Sequence, residues 1–240
     1  MGNVNWKDRL KWPFNRVGID VVRMSRRYMY QLLELRQLPI KTVIDVGANT
    51  GQFARNTIDV FPDARLYCFE PQPEPFRQLE QWARSVPAGR VQALNLALGD
   101  TDGQVEMHVF PRLDVASSLL APTPQLKNWL GAVRDETRIL VPLRRLDTIP
   151  SIELEPDVLV KLDAQGYDGQ IIRGGRETLR QSRACLVEVE LDPMYEGQSS
   201  FLEIDNLLAE VGLTYRGNVG QAHAPDGHAI YVEALFTRQG

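Results

Sequence analysis

The stretch Val43-Ile44-Asp45-Val46-Gly47-Ala48-Asn49-Thr50-Gly51 constrains the fold of this chain more than any other. An apolar run that stops at an acid and a Gly-rich turn is the pattern of a buried parallel strand passing into a helix. In α/β proteins that junction is where phosphates and nucleoside cofactors bind, because ligands sit at the carboxyl ends of parallel strands. The spacing speaks against a dinucleotide. G-x-G-x-x-G needs glycine at three fixed positions, whereas here Asn49 follows Gly47, the next glycine is Gly51, and Gln52 stands where the last one should be. Asn tolerates positive φ better than other side-chain-bearing residues, so Asn49 can replace a glycine in the turn.

The rest of the chain supplies the alternation that such a junction requires. Ile40–Val46, Arg65–Phe69, Arg90–Ala97, Asp157–Asp163 and Ala184–Leu191 read as strands, with helices over Gly51–Phe61, Pro75–Ser85, Gly169–Gln181 and Phe201–Val211. Leu213–Arg216 and Ala229–Thr237 read as a terminal pair, and Val105–Phe110 as an additional strand. The fold expected is α/β, a doubly wound, mainly parallel seven-stranded sheet with helices on both faces. One catalytic-sized domain over residues 40–240 would follow an N-terminal basic helical arm over residues 1–39, where Trp6, Trp12 and Phe14 lie among arginines and lysines. That arm reads either as a helix packed on the sheet or as a weak contact to a membrane surface. The connection from Pro111 to Arg138 (111–138) is long for a structureless loop and is expected to be a substrate cap.

Composition narrows the function classes. A net charge of −4 argues against nucleic acid as the main partner. Cys68 and Cys185 each sit in an apolar run and read as buried free thiols, which suits a reducing compartment. No apolar stretch approaches the roughly 18 residues of a membrane span, and no secretory pattern precedes the fold, so a cytoplasmic location is the default expectation.

In a doubly wound sheet three polar strand ends should converge, those of Asp45, Glu70 and Asp163. Glu70 lies 25 residues beyond Asp45, near the spacing at which Rossmann-type folds place an acid on a ribose diol. Lys161-Leu162-Asp163-Ala164-Gln165-Gly166 is the second polar cluster. Period two puts Lys161 and Asp163 on one face, where burial demands that they pair or serve chemistry. Glu188 and Glu190 alternate in the next strand in the same way, and one of them should lie beside Lys161 or the acceptor. The terminal pair encloses His223 and His228 with Asp226, readable as a general base or as a solvated turn; no compact metal-ligand set accompanies them, so no metal is expected. His108, inside an alternating strand, reads as structural.

Taken together these motifs resemble the FkbM family of S-adenosylmethionine (SAM) dependent methyltransferases. The matching pieces are Ile44–Phe53, Tyr67–Pro73, Asn95–Asp100, Ser117-Ser118-Leu119, Leu146-Asp147-Thr148, Val160–Gly175 and Val187–Glu190, in order over most of the chain. The resemblance implies a class I fold. It implies a SAM site built from Asp45, Gly47, Asn49, Gly51 and Glu70, with Ala97 and Leu98 beside the adenine, and Asp45 toward the cofactor's ammonium. It further implies methyl transfer to a hydroxyl of a sugar, glycoside or other natural product, with Lys161, Gln165, Ser117 and Ser118 toward that acceptor. The base that such a transfer calls for is sought first at Asp163, then His223 or His228, then Glu188. Two other functions fit less of the sequence. One is a SAM-fold binding or scaffold protein without turnover; the other is an NAD-dependent oxidoreductase, which lacks its glycine spacing and a Tyr-x-x-x-Lys motif.

Overall fold

The computed structural model describes residues 35–131 and 135–238, so the basic arm expected over residues 1–39 falls almost wholly outside the described residues. The strands of the main sheet are β1 (Thr42–Val46), β2 (Arg65–Phe69), β3 (Val91–Leu94), β7 (Val158–Leu162), β8 (Ser182–Glu190), β9 (Thr214–His223) and β10 (Ala229–Thr237). Their order is β3-β2-β1-β7-β8-β10-β9. All neighbours pair in parallel except β10, which runs antiparallel to both β8 and β9. A second, three-stranded sheet of order β4-β6-β5 is made by β4 (Ala97–Leu98), β5 (Gly103–Val109) and β6 (Thr137–Arg144).

Helices cover both faces because β1 and β7 are buried at every position, as strands flanked on both sides must be. Val43, Leu66, Leu159 and Leu186 pack under α1 (Gln52–Val60) and α2 (Pro73–Ser85), through Phe53, Ala54, Leu79 and Ala83. Ile44, Val46, Val160 and Val187 pack on the opposite face. There they meet Ile171 of α4 (Asp168–Gly174), Leu179 of α5 (Arg176–Gln181) and Leu208 of α6 (Phe201–Glu210). The remaining helix, α3 (Pro124–Leu130), is capped by Thr123, whose side chain accepts from the Leu126 amide.

Four sequence expectations need correction. Arg90–Ala97 is not one strand: pairing stops at Leu94, and Ala97–Leu98 turns away into the second sheet. The helix expected over Gly169–Gln181 breaks at Gly175, where an added Cβ would lie 3.0 Å from Leu146 and 3.2 Å from the Ile171 carbonyl. The connection expected to run to Arg138 gives way at Thr137 to β6, an unexpected strand that pairs antiparallel with β5. Leu213–Arg216, in turn, is the start of a much longer strand that reaches His223. Cys68 and Cys185 are buried and unpaired. Among the described residues no helix is long and apolar enough to cross a membrane.

Candidate active site

The α1-covered face of the sheet changes character toward its carboxyl edge. Cross-strand register aligns Asp45 with Lys161, Lys161 with Leu186, and Leu186 with Leu235. Two residues further along, Glu188 stands opposite Glu233, and beyond it Glu190 opposite Tyr231. Period two therefore converts an apolar face into a row of ionisable groups where the strands end.

The Gly-rich turn is pinned between two strand ends. The amides of Gly47 and Ala48 donate to the Phe69 carbonyl (3.1 and 2.9 Å). Gly47, Asn49 and Gly51 all have positive φ (71°, 48° and 90°), as their residue types allow. Glu70, 2% exposed, is held by this turn: its carboxylate accepts the Asn49 amide at 2.8 Å and the Gln72 amide at 2.7 Å. Burial pushes its pKa up to about 7 against those two bonds. Asn95 fixes the backbone beneath it, donating to the Glu70 carbonyl at 2.8 Å.

The polar cluster at the end of β7 is a connected network. Lys161 donates to Asp163 at 2.7 Å. The Gln165 side-chain amide donates to both Asp163 and Glu188, each at 2.9 Å, and accepts from the Tyr195 hydroxyl at 2.7 Å. Both amide hydrogens of Gln165 are thus spent bridging two acids, and its backbone takes the left-handed φ of 51° to reach them. Burial opposes the charge on Lys161, yet Asp163, Asp45 and Glu188 outweigh it and raise its pKa. Burial likewise opposes ionisation of Asp163, but Lys161 and the hydrogen bonds bring its pKa below the ordinary value. Glu188 goes the other way, up to about 9, through burial and the Asp163 charge. Replacing Lys161 with methionine should cost about 3–5 kcal/mol, because Asp45 and Asp163 would be left buried without a cation; urea denaturation measures it, and an unchanged midpoint and slope would refute the role.

These groups open onto one cavity of about 480 Å³. Gly47, Asn49, Glu70, Leu96, Ala97 and Leu98 line one part; Asp163, Gln165, Glu188, Glu190, Tyr195 and Tyr231 line another. Ser117 and Ser118 line it too but are engaged in the scaffold: Ser117 Oγ accepts from the Phe110 amide (3.1 Å), and Ser118 Oγ donates to the Gln165 carbonyl (2.8 Å). Asp45 lies fully buried under α1, outside the cavity lining; neither carboxylate oxygen has a hydrogen-bond partner of good geometry, and burial raises its pKa to about 6. Lys161 and Gly51 are also behind the wall, Gly51 against Leu79 and Trp82.

The histidines sit elsewhere. His223 lies on exposed backbone with its Nε2 against the Gln221 amide (2.9 Å), and neither it nor His228 is among the lining residues. His228 has both ring nitrogens on carboxylates, Nδ1 at 2.5 Å from Asp226 and Nε2 at 3.1 Å from Asp192. Asp192 also accepts from Gln125 on α3 at 3.0 Å, so the imidazole latches the β9–β10 turn to the segment that closes the cavity. His108 is buried in β5 and paired with Glu136 at 2.7 Å. Because Asp192 and Asp226 raise the His228 pKa above 6.5, the latch is fully made below that value and is lost as pH rises through the raised folded value. Proteolysis of the turn should accordingly speed up with pH in the wild type, and His228→Asn should remove that dependence.

Glu190, Tyr195 and Tyr231 complete the site beyond the residues singled out as ligands from sequence. Glu190 carried a signal in its alternation with Glu188; Tyr195 had none, since it reaches the network from the loop after β8.

A sheet of this order, with a tight turn after β1 and a buried acid after β2 facing one cavity, defines a class I methyltransferase. The chain belongs to the FkbM methyltransferase family and is a SAM-dependent methyltransferase: residues 45–215 match the methyltransferase FkbM domain. It is 30% identical over 198 residues to the 2-O-methyltransferase NoeI of Sinorhizobium fredii, covering 80% of each chain. Methyltransferase sdnD of Sordaria araneosa is 27% identical over 169 residues, covering 61% of this chain and 64% of that one. The crystal structure of methyltransferase FkbM from Methylobacillus flagellatus KT shares the fold, with a TM-score of 0.53 at 15% identity over 83% of this chain. This chain spans 44% of that protein's length.

The residues present fit the cofactor. Each Glu70 oxygen already accepts one backbone amide and has capacity for a further donor, as two ribose hydroxyls require. Leu96, Ala97 and Leu98 offer an apolar wall beside it.

Proposed function

We propose that the enzyme methylates a hydroxyl of a neutral acceptor, a sugar or glycoside in the first instance. The observation that carries this reading is the cavity lining: it holds the carboxyl groups of Glu188 and Glu190 and the rings of Trp129, Tyr195 and Tyr231, and among the described residues no Lys or Arg lines it. Carboxyl groups and aromatic faces suit hydroxyl-rich rings, while a phosphorylated or carboxylated acceptor would find no Lys or Arg to pair with among the described lining residues. The 2-O-methyltransferase activity named for NoeI supports the same bond type. SAM, when bound, supplies an activated methyl group and a positive charge on sulfur.

In this reading the segment from Pro111 to Arg138 is the acceptor cap. It is held down by Thr123, which donates to the Pro193 carbonyl at 2.6 Å, and by Leu126 packed on Met194, Tyr195 and Ile230. Lys161, Asp163 and Gln165 position the acid row rather than meet the acceptor alone, and holding the acceptor oxygen in line contributes several kcal/mol to the rate. Incubating the protein with SAM and a panel of neutral glycosides, amino sugars and uronic acids, followed by mass spectrometry, tests the assignment. Methyl ethers of neutral glycosides are expected. Methylation confined to amine nitrogen or to the acids would overturn the reading, and binding of SAM without any transfer would favour a scaffold.

Asp163→Asn is expected to lower transfer at least tenfold with SAM affinity preserved, since it removes the anion that holds Lys161 and Gln165 in place. Steady-state kinetics beside calorimetry with S-adenosylhomocysteine reads both; wild-type turnover in the variant would refute it.

A further inference from the structure

Resting on the reading of the acceptor as a hydroxyl compound, we propose that Glu190 grips the acceptor hydroxyl and takes its proton during transfer. Glu190 ends β8 and lines the cavity; it is 7% exposed, and neither carboxyl oxygen has a hydrogen-bond partner of good geometry among the described residues. A buried carboxyl left without a donor is costly, and a ligand hydroxyl would relieve that cost. The neighbouring acids of the row that also line the cavity, Asp163 and Glu188, are already engaged, whereas Asp45 and Glu233 are not among the lining residues. Asp163 is held by Lys161 and Gln165, Glu188 by Gln165, and the Tyr195 hydroxyl by Gln165 and the Ala116 carbonyl at 3.0 Å.

Its place in the sheet fits the role. In the order β2-β1-β7-β8, Glu190 stands three strand spacings from Glu70, roughly 14 Å at ~4.8 Å each. The two acids therefore mark opposite parts of one cavity, Glu70 toward the ribose end and Glu190 toward the acceptor. In the transfer the acceptor oxygen bonds to the methyl carbon while the carbon–sulfur bond breaks and its electron pair goes to sulfur. The hydroxyl proton passes to Glu190.

The surroundings set the conditions for that proton. Asp163 and Asp168 act on Glu190 from the end of β7 and the start of α4, Glu188 from its own strand and Tyr195 from the loop after β8, while Tyr231 stands opposite it on β10. Burial together with Asp168, Glu188 and Asp163 favours the protonated carboxyl in the free protein. A cation in the loaded cavity favours the carboxylate that accepts a proton. Transfer should therefore rise with pH through the Glu190 titration.

The test compares wild type, Glu190→Gln and Glu190→Ala by three readouts: calorimetry with S-adenosylhomocysteine, the infrared carbonyl band of a protonated carboxyl, and methyl transfer to neutral methyl glycosides across pH. Both variants are expected to bind S-adenosylhomocysteine as the wild type does and to show, in the wild-type-minus-variant difference spectrum, the loss of one protonated carboxyl from that band. Glu190→Gln should lose roughly 10²–10⁴-fold in kcat together with the rise of rate with pH. Wild-type turnover in Glu190→Gln, an unchanged band, or variants that lose S-adenosylhomocysteine binding through misfolding would each overturn the proposal. An active wild type with an equally active Glu190→Gln sinks this proposal alone; a wild type that methylates no glycoside sinks the hydroxyl reading and this proposal with it.

Discussion

Gly47→Ala is expected to abolish cofactor binding and to lower folding stability by on the order of 3–5 kcal/mol, the sum of a strained backbone and an overpacked contact. Gly47 has φ of 71°, and an added Cβ would lie 1.9 Å from the Asp163 carbonyl oxygen. That oxygen belongs to backbone, and the Asp163 amide is itself bonded to the Val46 carbonyl at 3.2 Å, so neither side of the contact can yield without moving the end of β1 or β7. Gly89→Ala is the control: it has a comparable φ of 62°, and a Cβ there meets nothing within 4 Å. Its cost should be confined to the left-handed strain, about 1 kcal/mol. Urea denaturation of both variants, with calorimetry using S-adenosylhomocysteine, separates conformation from contact. Equal stability losses would show that the Asp163 carbonyl does not decide the residue at position 47.

Glu70→Ala should weaken S-adenosylhomocysteine binding about 10²–10³-fold, the loss of two hydrogen bonds to a charged group at about 1.5–3 kcal/mol each, partly offset by water. Glu70→Gln is not a mild alternative. Because the two carboxylate oxygens accept the Asn49 and Gln72 amides, a side-chain amide must turn its own donor toward one of those N–H groups. The glutamine variant is therefore expected to lose affinity nearly as severely as the alanine one. With the Glu70 pKa raised to about 7 by burial in the free protein, affinity should increase from pH 6 to pH 8 as the better acceptor form is populated. Both variants should lose that slope. A Glu70→Gln protein with wild-type affinity would mean that the acid is not the ribose clamp.

Much of the fold was legible because β1, β2, β7 and β8 are short apolar runs closed by acids or glycines, and their alternation with amphipathic helices leaves few arrangements open. Arg65–Phe69 and Ala229–Thr237 have the same bounds in the structure as in the sequence. What escaped the sequence has a common cause. β6, with Leu140 exposed and Val141 buried, is too weakly patterned to announce itself before β5 pairs with it. The extension of β9 to His223 likewise rests on pairing with β10, since Gly217, Gly220 and Asn218 disfavour a strand locally.

The site divides along the same line. The sequence alone determined the turn and the acid expected to hold the cofactor: a nine-residue stretch, Val43–Gly51, with positive φ written into its glycines and asparagine, and an acid 25 residues past Asp45. Those constraints are local, and local backbone chemistry can be read from residue type and spacing. The acceptor end was decided only by tertiary structure. Gln165 became a bridge between Asp163 and Glu188 because parallel register set β7 beside β8. Tyr195 entered from a loop, His228 was drawn to Asp192 away from the cavity lining, and Glu190 was left lining the cavity without a partner. Whether a buried carboxyl is paired or free depends on what neighbouring strands and loops bring within about 3 Å, and no periodicity in the chain encodes that.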